Sequence, residues 1–123
     1  MNLQKTFDTI VAHLRKQNAK SFNSSGKCAY RGANGMKCAV GVLIHDKNYQ
    51  PRFDFNDGMP AMHPDIMHAL NASGNIDAEV FAPTQCMSML LRMQNVHDHT
   101  PIPKWEEAFE RVAKEFGLKL TEV

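Results

Sequence analysis

Residue types suited to binding an anion surround a turn signal near position 30. They are Tyr30, Arg31, Gly32, Gly35 and Lys37. Arginine presents a planar fork of donors to phosphate or carboxylate, lysine a point charge, and tyrosine a ring on which a base can stack. Glycine allows a ligand to come close to the backbone. These five residues therefore predict a binding site for an anionic ligand, and nothing in the sequence calls for a cofactor.

The same residues also have a purely structural interpretation. Tyr30 would then pack in the core, Arg31 would pair with an acidic residue of the C-terminal half, and Asn34-Gly35 would be only a turn. The arms of a hairpin lie about 5 Å apart, so Arg31 and Lys37 would be neighbours that need an anion between them. That anion is either internal or part of a ligand. The internal candidates are Asp46, Asp57 and Asp98.

Catalytic residues are suggested less strongly. Cys38 with His97 and Asp98 would supply a nucleophile, a base and a residue that orients the base. A small hydrolase or thiol enzyme is therefore the first alternative function. Cys38 is followed by Ala39 and Val40, which indicates burial, and buried thiols are inert. Walker, HExxH and GxSxG motifs are absent from the sequence, so a binding protein is favoured over an enzyme.

Metal ligands are present at unsuitable intervals. The chain has six His and three Cys, but Cys28 and Cys38 are not separated by the short gap of a zinc knuckle. We expect no metal site. The odd number of cysteines argues against a closed disulfide framework and favours a reducing compartment. The first 17 residues lack the apolar core of a signal peptide, and no apolar run is long enough for a membrane span. The expected location is the cytoplasm.

Charge is distributed unevenly along the chain. Residues 1–62 contain nine Lys and Arg against four Asp, whereas residues 63–123 contain five against nine acidic residues. A basic N-terminal half makes nucleic-acid binding the second alternative function. The other interpretation is two solvated faces without a role in binding.

The elements that must position these residues are mainly helices. Apolar residues at helical intervals predict helices over about 3–17, 64–72, 84–97 and 103–116. The apolar run 38–44 predicts a fifth, short helix, and Asn34-Gly35 is a strong hairpin signal. We therefore expect a mainly α (α+β) fold: a single domain over residues 1–123, built as a compact bundle of about five helices with one small β-hairpin near residues 29–38. The expected core residues are Phe7, Leu14, Leu90, Leu91, Trp105, Phe109 and Phe116.

His97 and Asp98 stand where one helix is expected to end, before Pro101 and Pro103. We expect Asp98 to accept hydrogen bonds from nearby amides and His97 to donate to a terminal carbonyl. That arrangement would fix the angle between two helices without any chemistry.

Two stretches of the sequence, CAYRGANGMKCAVGVLI and LLRMQNVHDHTPIPKWEEAFERVAKEFGL, carry a family resemblance. They resemble a set of short uncharacterised proteins from bacteriophages and bacteria, and the resemblance does not cover residues 46–83. It implies a phage-type accessory protein for host takeover or anti-defence, which inhibits or sequesters a host protein or a nucleotide-like ligand. The residues that match the motif are Cys28, Tyr30, Arg31, Gly32, Gly35, Lys37, Cys38, Gly41, His97, Asp98 and Trp105.

Overall fold

The structure is a computed structural model that describes residues 3–55, 58, 60, 63–74 and 85–121. These residues form four α-helices: α1 (Leu3–Gln17), α2 (Pro64–Ala72), α3 (Gln85–His99) and α4 (Trp105–Glu115). The connections contain 3-10 turns of three or four residues. The mainly helical fold is confirmed. None of the described helices combines the length and apolar character needed to cross a bilayer.

Helix α1 forms where the apolar spacing predicts it. Phe7, Ile10 and Leu14 are buried along one side, which is the stripe expected of a helix packed on a core. Asn18 ends the helix in the left-handed region, with φ 46°, and its N–H donates to the carbonyl of Leu14. The buried side of α1 contacts α3.

Helices α3 and α4 pack on each other across a short connection. Trp105 begins α4 with its ring buried, and its indole Nε1 donates to the carbonyl of Thr100 over 2.9 Å. At the other end, Gly117 has φ 66° and the N–H of Leu118 donates to the carbonyl of Ala113. This is the Schellman ending that the Gly-Leu pair predicts.

The core contains most of the residues expected from the sequence. Phe7, Leu14, Leu90, Trp105 and Phe109 are buried, as predicted.

Leu91, which the sequence analysis expects in the core, is instead 37% exposed. Met89 and Met93, four residues apart on one face of α3, fill the core instead. Leu91 lies about 200° around the helix from Met89, since each residue turns the chain by about 100°. Phe116 is only partly buried, at the edge of the core.

The fifth helix and the β-hairpin are not confirmed. Within residues 38–44 the only regular element is the 3-10 turn Gly41–Leu43, where a helix was expected. Around Asn34-Gly35 the described backbone has one antiparallel bridge, Arg31 with Lys37, and no named strand. Asn34 and Gly35 do have the positive φ values, 58° and 75°, that the turn signal predicts. Position 84, the expected start of α3, lies outside the described residues.

The hairpin arms do not pair further because their backbone groups have other partners. The N–H groups of Tyr30 and Arg31 both donate to the carboxylate of Asp54. On the other arm, the N–H of Lys37 donates to Gln17 Oε1, and its carbonyl accepts from Gln17 Nε2 and from His13. Asp54 therefore takes the Tyr30 N–H that the next rung of a β-ladder would use. Gln17 and His13 bond to the outer edge of the Lys37 arm.

Candidate anion-binding site

The antiparallel bridge places Arg31 and Lys37 directly opposite each other. Residues in opposite positions of an antiparallel pair send their side chains to the same face. The two cations are therefore neighbours, as the turn signal predicts. Between them the chain turns through Ala33, Asn34 and Gly35, all of which are exposed.

The guanidinium of Arg31 is held by three contacts from residues 44–49. Its Nη1 donates to Asp46 Oδ1 over 2.5 Å, and its Nη2 donates to the carbonyl of Ile44 over 2.6 Å. Its Cζ lies 4.9 Å from the centre of the Tyr49 ring, within cation–π range. The segment after the turn thus fixes the direction of this side chain.

Asp46 is the internal anion between the two cations. Its Oδ1 lies 2.5 Å from Arg31 Nη1 and 3.9 Å from Lys37 Nζ. The hydrogen bond from Arg31, followed by the positive charges of Arg31 and Lys37, lowers the pKa of this carboxyl. The Asp46 side chain is nevertheless 84% exposed, so water and solutes reach it freely. Of the other two candidates, Asp98 bonds to His97 and Asp57 lies outside the described residues.

Asp46 does not fully neutralise the positive charge of Arg31 and Lys37. Two cations face one carboxylate, so the group of Arg31, Lys37 and Asp46 carries a net charge of +1 at neutral pH. In addition, Arg31 Nε is buried and has no hydrogen-bond partner among the described residues. Buried polar groups are nearly always paired, and a guanidinium N–H without a partner is therefore unusual.

Tyr30 does not present its ring to solvent, although the sequence suggested a stacking surface. It is 7% exposed and belongs to the core, and burial raises the pKa of its hydroxyl. The ring beside Arg31 is supplied instead by Tyr49.

The two glycines of the predicted site have different surroundings. The space beside Gly32 is filled by the chain itself, because a Cβ there would lie 2.8 Å from the N atom of Phe22. Nothing lies within 4 Å of the corresponding position at Gly35. Gly35 is thus the open tip of the turn, whereas Gly32 is a packing position.

Asp54 is a positioning residue that the sequence analysis missed. Its two carboxylate oxygens accept from the N–H groups of Tyr30 and Arg31, over 2.8 and 3.1 Å. The hydroxyl of Tyr49 donates to the same carboxylate over 2.5 Å. One side chain therefore holds together the arm that carries Arg31 and the ring on which Arg31 rests.

A second polar group lies next to this region. The ligand-type atoms of Cys28, His97 and Asp98 are within 4.8 Å of one another. His97 is fully buried. Its Nδ1 lies 2.8 Å from Asp98 Oδ1, and its Nε2 accepts from the N–H of Ser21 over 2.9 Å.

Those contacts decide the chemistry of the His97 ring. A backbone N–H can only donate, so Nε2 of His97 carries no proton and the Nδ1 proton is donated to Asp98. The expectation that His97 donates to a terminal carbonyl is therefore wrong. Both nitrogens have partners, and a metal ion or a substrate proton would have to displace one of them. We therefore assign the group of Cys28, His97 and Asp98 to structure.

Cys28 and Cys38 are also in unreactive surroundings. Burial, then the charge of Asp98 and a hydrogen bond to it, raise the pKa of Cys28 to about 11. Cys38 is fully buried, and burial raises its pKa to about 12. The cysteine that the structure brings to His97 and Asp98 is Cys28, whereas the sequence suggested Cys38. Thiolates, which are the nucleophilic form, are scarce at both positions near neutral pH.

Comparisons with known proteins give no assignment, since no family model, no curated protein and no solved structure matches the chain.

Proposed function

We propose that the protein acts by binding, and that Arg31 and Lys37 receive an anionic group of its partner. One observation carries this proposal: the two cations share a face and a single carboxylate that is 84% exposed. Arg31 and Lys37 would contact the anion, and Gly35 would border the site at the tip of the turn. Tyr30 and Gly32 would hold the turn in place from below.

The internal ion pair offers little resistance to a partner. An ion pair whose carboxylate is fully exposed contributes little to stability, because water screens the charges and because ordering the side chains costs entropy. Asp46 can therefore give way to another anion. The guanidinium of Arg31 stays in position, since the carbonyl of Ile44 and the ring of Tyr49 also hold it. A site that is already ordered binds at a lower entropic cost.

The biological role we propose follows the resemblance noted above. A small phage-type accessory protein in the host cytoplasm would inhibit or sequester a host protein or a nucleotide-like ligand. Both kinds of partner carry anionic groups, as carboxylates on a protein surface or as phosphates on a nucleotide. The cation pair is suited to either.

Titration calorimetry at low salt tests the proposal with two probes, ATP and a ten-residue polyglutamate peptide. We expect at least one of them to bind, and Arg31→Gln to weaken that binding by about tenfold or more, the loss of one charge-assisted hydrogen bond. Lys37→Gln should weaken it in the same direction.

Arg92→Gln is the matched control, because Arg92 is an exposed arginine, distant in sequence from Arg31, that is paired with Glu115. It removes the same charge and should leave the affinity near that of the parent. Failure of both probes to bind, or equal losses in Arg31→Gln and Arg92→Gln, would contradict the proposal. Melting curves of each variant exclude an effect through unfolding.

A further inference from the structure

We infer that the carboxylate of Asp46 is an internal occupant of the anion site, and that the ligand group that replaces it is a phosphate monoester. This inference rests on the proposed function. It adds the chemical class of the ligand and a competitor built into the chain.

The position of Asp46 is that of a bound anion. One oxygen, Oδ1, accepts from Arg31 Nη1 and also lies 3.9 Å from Lys37 Nζ. That oxygen stands where an oxygen of a ligand would bridge the two cations. No other cation within 4 Å of the Asp46 carboxylate is found in the described part of the chain.

Asp46 can leave this position by rotation of its own side chain. Its backbone lies in the 3-10 turn Asp46–Asn48, where the N–H groups of Asn48 and Tyr49 donate to the carbonyl of His45. The His45 N–H is anchored in turn by Ser73 Oγ over 2.9 Å. The backbone is thus fixed while the exposed carboxylate is free to turn toward solvent. Exchange of anions needs no rearrangement of the fold.

Charge and tethering select the ligand group. A carboxylate from a partner offers the same charge and the same two oxygens as Asp46, but Asp46 has the advantage of an intramolecular group with a high effective concentration. A phosphate monoester carries a charge of about −1.5 to −2 at pH 7 and three acceptor oxygens. It neutralises Arg31 and Lys37 together, and its extra oxygens suit the fork of an arginine. Among these two groups, only the phosphate gains by displacing Asp46.

The experiment compares phenyl phosphate with benzoate, two probes that differ in the anionic group. Binding is followed by NMR titration of the backbone amides of residues 30–37 at low salt. For the parent we expect phenyl phosphate to bind at least about tenfold more tightly than benzoate. In Asp46→Asn we expect both probes to gain affinity, by roughly fivefold, because the competitor has been removed. Equal binding of the two probes to the parent, or unchanged affinity in Asp46→Asn, overturns the inference.

Asp65→Asn is the control for net charge, because Asp65 is a partly exposed carboxylate paired with a different arginine, Arg52. It should not change the affinity for either probe. Arg31→Gln distinguishes failure of this inference from failure of the proposed function. Binding that depends on Arg31 but not on Asp46 leaves the proposed function standing and removes this inference. Binding that is indifferent to Arg31 removes both.

AMP and a phosphoserine tetrapeptide then distinguish the sources of the phosphate. Tighter binding of AMP than of phenyl phosphate assigns the site to a nucleotide-like molecule, and tighter binding of the peptide assigns it to a phosphorylated protein. If neither binds more tightly than phenyl phosphate, the site recognises the phosphate group alone. In all three outcomes the phosphate is confirmed as the group recognised, provided that benzoate binds more weakly.

Discussion

The imidazole of His97 accepts a hydrogen bond at Nε2 from the backbone N–H of Ser21, 2.9 Å away and 76 residues earlier in the chain. Ser21 is joined in turn to Ala29, through its hydroxyl and through its backbone carbonyl. Helix α3 therefore holds the segment that leads into the Arg31 turn. The position of the candidate site depends on a buried ring that does not take part in it.

Replacement of His97 by alanine should destabilise the fold strongly. It leaves the N–H of Ser21 without its acceptor and opens a cavity in the core, for a combined loss of about 2–4 kcal/mol. Urea unfolding measures this loss directly. His99→Ala is the matched control, because His99 is exposed on the last turn of the same helix and should unfold near the parent midpoint. Equal midpoints for the two variants would show that the Ser21 contact contributes nothing.

Zinc should not raise the melting temperature. Cys28, His97 and Asp98 have ligand-type atoms within 4.8 Å of one another, but both nitrogens of His97 already have partners. A metal that bound the native state would stabilise it in proportion to the logarithm of its concentration. A melt with a small excess of Zn²⁺ tests this. A rise in melting temperature that Cys28→Ser abolishes would overturn the assignment of this group to structure.

Protonation of Asp98 should account for part of the loss of stability in acid. Burial raises the pKa of this carboxyl, but hydrogen bonds from His97, Gln94 and Cys28 outweigh burial and leave it lowered. A group with a lowered pKa in the folded state stabilises the protein above the unfolded pKa of about 3.9, and that contribution is lost as the pH falls through the folded pKa. Asp98→Asn should therefore be less stable than the parent at pH 7, with a difference that shrinks as the pH falls below about 4. Urea unfolding across this range measures the difference, and a constant gap would contradict the expectation.

The helices could be predicted because their signals are local. Residues 3–17 and 64–72 have apolar spacing and end signals within their own sequence, and the structure has helices with those bounds. The prediction of a β-hairpin failed because the contacts that decide it are not local. The Tyr30 N–H, which a longer hairpin would use, donates to Asp54. Asp54 is distant in sequence, and no local pattern indicates this contact.

The candidate site was predictable to the same extent. The Asn34-Gly35 signal correctly places Arg31 beside Lys37. Because two neighbouring cations need an anion between them, Asp46 could be proposed as one of three candidates. The ring of Tyr49 and the carboxylate of Asp54 could not be inferred. They belong to an irregular segment without periodicity, whose path depends on tertiary contacts alone.

Trp105 should be a major contributor to stability. Its ring is 3% exposed, and its indole N–H donates to the carbonyl of Thr100 at the connection between α3 and α4. Trp105→Ala should cost about 3–5 kcal/mol, as for other large buried side chains, and Trp105→Phe should cost less because it keeps most of the apolar surface. Thermal melts compare the two. A Trp105→Ala variant that melts with the parent would place the ring on the surface.

Replacing either of two glycines near the site by alanine should destabilise the fold, but to different degrees. The larger loss is expected at Gly41, although only Gly35 has a positive φ. At Gly41 a Cβ would lie 2.2 Å from the carbonyl oxygen of Tyr30, and a backbone atom cannot move aside without displacing the arm that carries Arg31. At Gly35, with φ 75°, nothing lies within 4 Å of the same position, so the only cost is conformational.

We therefore expect Gly41→Ala to lose about 3 kcal/mol or more through overpacking, and Gly35→Ala about 1 kcal/mol through backbone strain. Gly35→Asn separates strain from crowding, because asparagine tolerates the left-handed region and should restore most of the loss at Gly35. Urea unfolding of the three variants ranks them. If Gly35→Ala proves the more damaging change, close packing of Gly41 on Tyr30 is not what holds the Arg31 arm in place.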